Sequence, residues 1–186
     1  MPLSRYRVID LTTVRSGPTC TKILADLGAD VLRVERPGDS GRDRVFFDQG
    51  DLQRNKKSLV LNLQHPKGVE ILRALALRAD VVVENYRPDV KHRLGIDYDS
   101  LSRENPRLVY ASISGFGQSG PYRDRPGYDQ IVQGMSGLMS LTGTEETAPL
   151  RIGIPIGDLL AGYFAALGIL AALIESERSG QGQRGE

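Results

Sequence analysis

Short apolar runs alternate along the chain with stretches of helical periodicity, and that alternation predicts its plan. Residues 8–11 (Val-Ile-Asp-Leu) read as a strand. Ile23, Leu24 and Leu27 then mark one face of a helix closed by Gly28, with Pro18 in its first turn and Ser16 or Gly17 as its cap. Residues 30–35 (DVLRVE) form a second strand, stopped by Arg36-Pro37-Gly38, which completes one βαβ unit. Residues 39–57 are polar and irregular, an unusual length for a loop in a compact α/β domain. A third strand follows at 59–63, a helix at 66–78 with Val69, Leu72 and Ala76 inward, and an apolar strand at 81–83. Two short helices, one carrying Lys91, His92 and Arg93 and one over 98–104, lead to a strand at 108–113. Strands that are apolar on both sides belong in the middle of a parallel sheet. The pattern therefore predicts an α/β fold, an open, doubly wound, mostly parallel sheet of Rossmann-like type, with ligands beyond the carboxyl ends of its strands. The loops at 12–18, 35–38 and 84–88 lie on that edge.

The last strong pattern is the apolar block 159–174, entered through Arg151-Ile-Gly-Ile-Pro-Ile-Gly157-Asp158. It falls short of the ~20 residues that span a bilayer and contains Gly162 and Gly168, so it reads as a long buried helix. Its small positions Ala161, Gly162, Ala165 and Gly168 would permit close packing. Asp158 stands where the unsatisfied amides and positive dipole end of that helix lie. Position alone predicts an N-cap contributing roughly 1 kcal/mol, and a carboxylate that stays ionised.

With 40% hydrophobic and 25% charged residues in 186, the composition is ordinary for one globular domain. The 24 basic and 23 acidic side chains nearly cancel, so no global field draws nucleic acid or an anionic membrane, and any anion site is local. One cysteine, Cys20, excludes an internal disulfide framework, and His65 and His92 offer no metal-ligand spacing. Together with an N-terminus lacking a signal-type apolar core, this points to a cytoplasmic protein with no metal. Cys20 falls in the first turn of a helix, where a low thiol pKa is conceivable, but packing is the expected role. Both histidines read as surface residues.

Gly115-Phe-Gly-Gln-Ser-Gly120 matches a dinucleotide fingerprint in spacing only, because Pro121 and Pro126 continue the loop where a helix should open. Arg36, after the second strand, stands where doubly wound folds commonly read an adenosine ribose or its phosphate; a surface turn residue is the equal alternative. Arg54-Asn55-Lys56-Lys57 at a strand boundary is either a solvated face or a phosphate collector.

Taken together, Val14-Arg-Ser-Gly-Pro-Thr-Cys-Thr21, Gly28-Ala-Asp-Val-Leu-Arg-Val-Glu-Arg-Pro-Gly38, Asn55-Lys-Lys-Ser58, Val83-Glu-Asn-Tyr-Arg-Pro88, Gly127-Tyr-Asp129, Gly157-Asp158 and Ser179-Gly-Gln-Gly-Gln183 resemble, in order, the family III CoA-transferases, a group that includes formyl-CoA transferase, carnitine CoA-transferase and the α-methylacyl-CoA racemases. The resemblance implies an acyl-CoA:carboxylate CoA-transferase whose nucleophile is Asp158, working through an aspartyl mixed anhydride and an aspartyl-CoA thioester. It implies Val14, Arg36, Leu61, Asn85, Tyr86 and Arg93 along the CoA site, and Arg15, Tyr128 and Asp129 toward the acyl end. Coenzyme A enters as substrate, with no permanently bound cofactor; the partners are an acyl-CoA, a small carboxylic acid and a second subunit in a homodimer. The racemases carry His where this chain has Tyr128, whose pKa near 10 makes a poor base, so transfer is expected over racemisation. Family members are roughly twice as long, so residues 1–186 are expected to be the N-terminal part of the large CoA-binding domain, without the small domain and the glycine-rich loop that closes the site. The competing expectation is a non-catalytic CoA-binding or assembly module.

Overall fold

Val8, Val81, Val82 and Val83 need cover on both faces of their strands, and they receive it at the centre of a six-stranded sheet. The computed structural model of the chain describes residues 1–39 and 49–186. Its strands are β1 (Arg7–Asp10), β2 (Asp30–Glu35), β3 (Lys56–Val60), β4 (Val81–Glu84), β5 (Val109–Ser112) and β6 (Arg184–Gly185), in the order β3-β2-β1-β4-β5-β6. Every pairing is parallel, with Ile9 opposite Leu32 on one side and Val82 on the other. The expected α/β sheet is therefore present, and its order reverses between β1 and β4. At that point the two following loops diverge and leave a crevice at the carboxyl edge.

Helices α1 (Ser16–Asp26) and α7 (Ile156–Ser179) cover one face, packing Leu24, Ala166, Ile169 and Leu173 on Val8, Val31 and Val83. On the other face α3 (Pro66–Ala76) and α5 (Tyr98–Ser102) pack Leu72, Ala76 and Leu101 on Ile9, Val82 and Tyr110. Each buried Val, Leu or Ile among these contributes about 1.5–3 kcal/mol. Cys20 is fully buried in the first of these layers, and burial pushes its thiol up to about 12, so it packs and does not react. Gly162 lets α1 and α7 touch: a Cβ there would lie 2.6 Å from the Ser16 carbonyl oxygen and 2.8 Å from Thr19 Cβ.

Several local expectations need correction. β3 spans Lys56–Val60 and not 59–63, because Val31–Glu35 of β2 pairs from Lys56 onward; Leu61 lies just beyond it, in the core. The long polar stretch contains a short helix, α2 (Gln49–Leu52), while residues 40–48 lie outside the described residues. α1 starts at Ser16 with Arg15 in the cap position and no side-chain cap. α7 is longer than expected, with 24 residues, long and apolar enough by composition to cross a membrane. It is not a buried helix: Gly162, Ala166, Ile169, Ala172, Leu173 and Ser176 form its buried stripe, while Tyr163, Phe164, Leu167 and Ile174 are exposed. Of the two expected packing glycines, Gly162 makes the close approach and Gly168 faces open space. β6 carried no strand signal in sequence. Gly182 brings it in, since a Cβ there would lie 2.0 Å from the Leu108 carbonyl oxygen.

Candidate active site

The crevice is built on two buried ion pairs. Asp10, at the end of β1, and Lys56, at the start of β3, have side chains 0% and 1% exposed, with Lys56 Nζ 3.0 Å from Asp10 Oδ2. Asp10 also accepts from Thr12 N at 2.9 Å, Thr12 Oγ1 at 2.5 Å and Thr21 Oγ1 at 2.6 Å. All its lone pairs are engaged, so the pair is tolerable in a dry interior and ties β1, α1 and β3 together. The rest of the cluster Arg54–Lys57 is paired at the surface instead. Arg54 pairs with Asp26 and Asp51, and Lys57 with Asp30 at 2.7 Å. A phosphate collector is not what these residues form.

Above Asp10 the chain turns sharply. Val14 has φ +68°, a conformation a β-branched residue adopts at a cost of about 1–3 kcal/mol and only when its surroundings impose it. What imposes it is Asn85, after β4: its Oδ1 accepts from Thr13 N at 2.9 Å and its Nδ2 donates to Thr13 O at 2.8 Å. Asn85 thus clasps the two loops at the reversal of the sheet and leaves Val14 exposed at the crevice. Tyr86 follows, half-buried; burial pushes its phenol up, and the Arg36 charge across the sheet edge opposes that rise.

The second pair sets the opposite wall. Lys91 of α4 (Pro88–Leu94) donates to Glu84 Oε1 at 2.8 Å, Ser112 Oγ at 2.8 Å and Gln118 Oε1 at 2.6 Å, while Glu84 Oε2 accepts from Tyr86 N at 2.8 Å. One buried cation therefore fixes Tyr86 and the 115–127 loop at once. That loop closes on itself, for a Cβ on Gly115 would lie 2.2 Å from Gly127 Cα. No helix follows its glycines, so the dinucleotide fingerprint is a coincidence of spacing.

From Gly127 the chain enters α6 (Asp129–Met135) and reaches the start of α7. Asp129 Oδ1 accepts from Gly157 N at 2.8 Å and, more weakly, from Asp158 N at 3.4 Å; its Oδ2 accepts from Gln133 Nε2 at 2.7 Å. The role expected of Asp158 is therefore Asp129's. Pro155 occupies the cap position of α7, Asp158 stands in the first turn, and the acceptor for the free amides comes from another helix. Asp158 is half-buried, and among the described residues no hydrogen bond reaches its carboxylate oxygens. Burial first, and then the neighbouring Asp129 charge, hold its carboxyl above the ordinary range, with Arg15 acting against them. Desolvation and the Asp129 charge thus outweigh the helix dipole at this carboxyl.

A cavity of about 320 Å³ brings Asn85, Tyr86, Tyr128, Asp129 and Asp158 together, along with Arg87, Arg123 and Arg125. Its size suits a small ligand. Arg15 adjoins it through Asp158, Arg36 through Tyr86, and Val14 through the Asn85 clasp. Leu61 and Arg93 do not line it: Leu61 is in the core, and Arg93 is exposed on α4. His65 caps α3 through Nδ1 and Lys67 N at 3.2 Å, and His92 lies 3.6 Å from Asp97; both are exposed, as expected. Among the described residues no cluster of His, Cys, Asp and Glu is arranged to hold a metal. Sequence reasoning missed Arg125 and Lys91. Arg125 lies in a loop without a recognised motif, and Lys91 carries no sequence signal of its burial against Glu84.

Comparison with known proteins covers nearly the whole chain. The sequence matches CoA-transferase family III over residues 3–184. It is 45% identical over 197 residues to a succinate–glutarate CoA-transferase of Agrobacterium fabrum, covering 98% of this chain and 49% of that protein. It is 46% identical over 192 residues to a formyl-CoA:oxalate CoA-transferase of Streptomyces avermitilis, covering 98% and 46%. The chain thus spans about half the length of the curated relatives it matches. Its fold superposes on the crystal structure of a CAIB/BAIF family protein from Brucella suis with a TM-score of 0.91 at 37% identity, covering 99% of this chain and 52% of that one. A match over nearly every residue shows that the chain belongs to CoA-transferase family III.

Proposed function

We propose that this chain carries the CoA-binding and nucleophilic part of an acyl-CoA:carboxylate CoA-transferase, with Asp158 as the nucleophile. The observation that carries the reading is a carboxylate that accepts no hydrogen bond from any of the described residues, on the wall of a cavity at the reversal of the sheet. Asp158 attacks the thioester carbonyl, the C–S bond breaks, and CoA leaves as the thiolate. The resulting mixed anhydride is attacked by that thiolate at the Asp158 carbonyl, which releases the donor acid and leaves an aspartyl-CoA thioester. The acceptor carboxylate attacks this thioester and expels the thiolate; the thiolate then attacks the acceptor carbonyl, giving the new acyl-CoA and regenerating Asp158. Each step exchanges one carboxylate or thiolate for another, so the thioester's energy is kept without a metal or an oxidant. A carboxyl held above its ordinary range is a better nucleophile once ionised.

Val14, Asn85, Tyr86 and Arg36 hold the CoA end in this reading, with Leu61 and Arg93 retained from the family resemblance alone. Arg15 and Tyr128 face the acyl end, and Asp129 acts by holding the first turn of α7. Under the same reading the chain is the N-terminal part of the large CoA-binding domain of a cytoplasmic homodimer. Asp158→Asn tests it: transfer from succinyl-CoA to short dicarboxylates should disappear, with CoA affinity changed by no more than a few-fold, and hydroxylamine should trap Asp158 of the parent during turnover. Undiminished transfer in Asp158→Asn refutes the assignment.

A further inference from the structure

Three acidic side chains, Asp124, Asp129 and Asp158, line the cavity that must admit a negatively charged acid. A carboxylate substrate enters that field only against a compensating cation. Arg123 has its neighbour Asp124 at 3.4 Å, a carboxylate that already offsets its charge at the surface. Arg125 is held differently. Its guanidinium lies 4.0 Å above the Tyr122 ring, and Tyr122 packs edge-on against Phe116 at 5.7 Å. The loop under them is pinned at both ends: Gly115 against Gly127, and Gln118 to Lys91 and, at 3.1 Å, to Ser114. Stacking occupies the face of a guanidinium and leaves its in-plane N–H groups free, the geometry that matches a carboxylate two bonds at a time. Among the described residues Arg125 has no carboxylate partner.

We propose that Arg125 is a subsite for the far carboxylate of a dicarboxylic acid whose near carboxylate reacts at Asp158, so that the cavity selects short diacids over monoacids. The inference rests on the transferase reading and deepens it. A cation already positioned loses little freedom on binding, so its contribution persists although the residue is exposed. Arg87 also lines the cavity, but it follows Asn85 and Tyr86 at the CoA end; Arg151 lines a more open hollow on the other side of Asp158.

The test is equilibrium binding, by titration calorimetry, of glutarate against valerate and of succinate against butyrate, each pair equal in carbon number. One charge-assisted pair corresponds to about tenfold or more in affinity, so the diacids should bind at least about tenfold tighter. Arg125→Gln should bring that ratio near one, Arg125→Lys should restore part of it, and the affinity for CoA should not move. Because Arg125 is exposed, its variants should unfold at the parent's temperature. Equal binding of diacid and monoacid by the parent overturns the subsite. So does a ratio unchanged in Arg125→Gln, a ratio lost in Arg151→Gln or Arg87→Gln instead, or a loss of CoA affinity that points to phosphate. Transfer is assayed separately: no transfer to any acid, with the diacid preference intact, removes the transferase reading and leaves the subsite standing.

Discussion

Replacing Asp129 by alanine removes the acceptor that holds Gly157 N at 2.8 Å and draws on Asp158 N at 3.4 Å, at the first turn of the 24-residue helix α7. Loss of a helix cap costs about 1 kcal/mol, within a range of roughly 0.5–2. The same change strips Gln133 Nε2, in a residue only 1% exposed, of its 2.7 Å partner and leaves it only the longer 3.3 Å bond to the Ile154 carbonyl oxygen. A buried donor left without that bond adds about 1–3 kcal/mol. The expected loss is therefore about 2–4 kcal/mol, or roughly 5–15 °C in melting temperature for a domain of this size. Asp129→Asn separates structure from charge. Its amide oxygen can still accept from Gly157 N, but its amide nitrogen cannot serve Gln133, so about half the loss should remain. Both variants remove the charge that raises Asp158. With a folded pKa above its unfolded one, Asp158 keeps its proton in the native state over a window that opens at the ordinary carboxylate value. Stability therefore falls as pH rises through that window and stays lower above it. In Asp129→Asn the window should narrow and the acid limb of turnover should move to lower pH. Thermal unfolding by circular dichroism and carbon-13 titration of the Asp158 carboxyl read the two effects. An Asp129→Ala variant within about 0.5 kcal/mol of the parent, below even the smallest cap loss, or an Asp158 titration that does not move, would refute the reasoning.

Lys56→Met should cost about 3–5 kcal/mol, because it leaves Asp10 charged in a dry site; the lower end is expected since Thr12 and Thr21 still donate to it. Urea unfolding measures this, and a loss below about 1 kcal/mol would mean that water replaces the ammonium. Arg36→Glu should weaken CoA much more than 3′-dephospho-CoA in equilibrium binding, as expected of a guanidinium that reads the ribose phosphate. Equal losses would instead assign Arg36 to adenine stacking or to packing beside Tyr86.

Much of this molecule is decided by patterns local in sequence. The apolar runs around Val8 and Val81–Val83 have no stable place except the centre of a parallel sheet, and Pro66, Gly28 and Arg36-Pro37-Gly38 mark where elements begin or stop. The loops that bear Val14 and Asn85 follow from that sheet, which is why both were legible as ligand-edge residues. Charge and capping were not legible, because they depend on partners far along the chain. Lys56 was one of a basic run until the fold brought Asp10, 46 residues away, within 3.0 Å. Asp158 was a cap by position until Asp129, 29 residues away, took the amides and raised its carboxyl. A carboxylate's proton affinity is set by burial and by the charges around it, and neither quantity exists before the chain folds. Composition likewise made α7 uniformly apolar and could not say which stripe meets α1. Tertiary contact decided that, through the one glycine where a Cβ would strike Ser16.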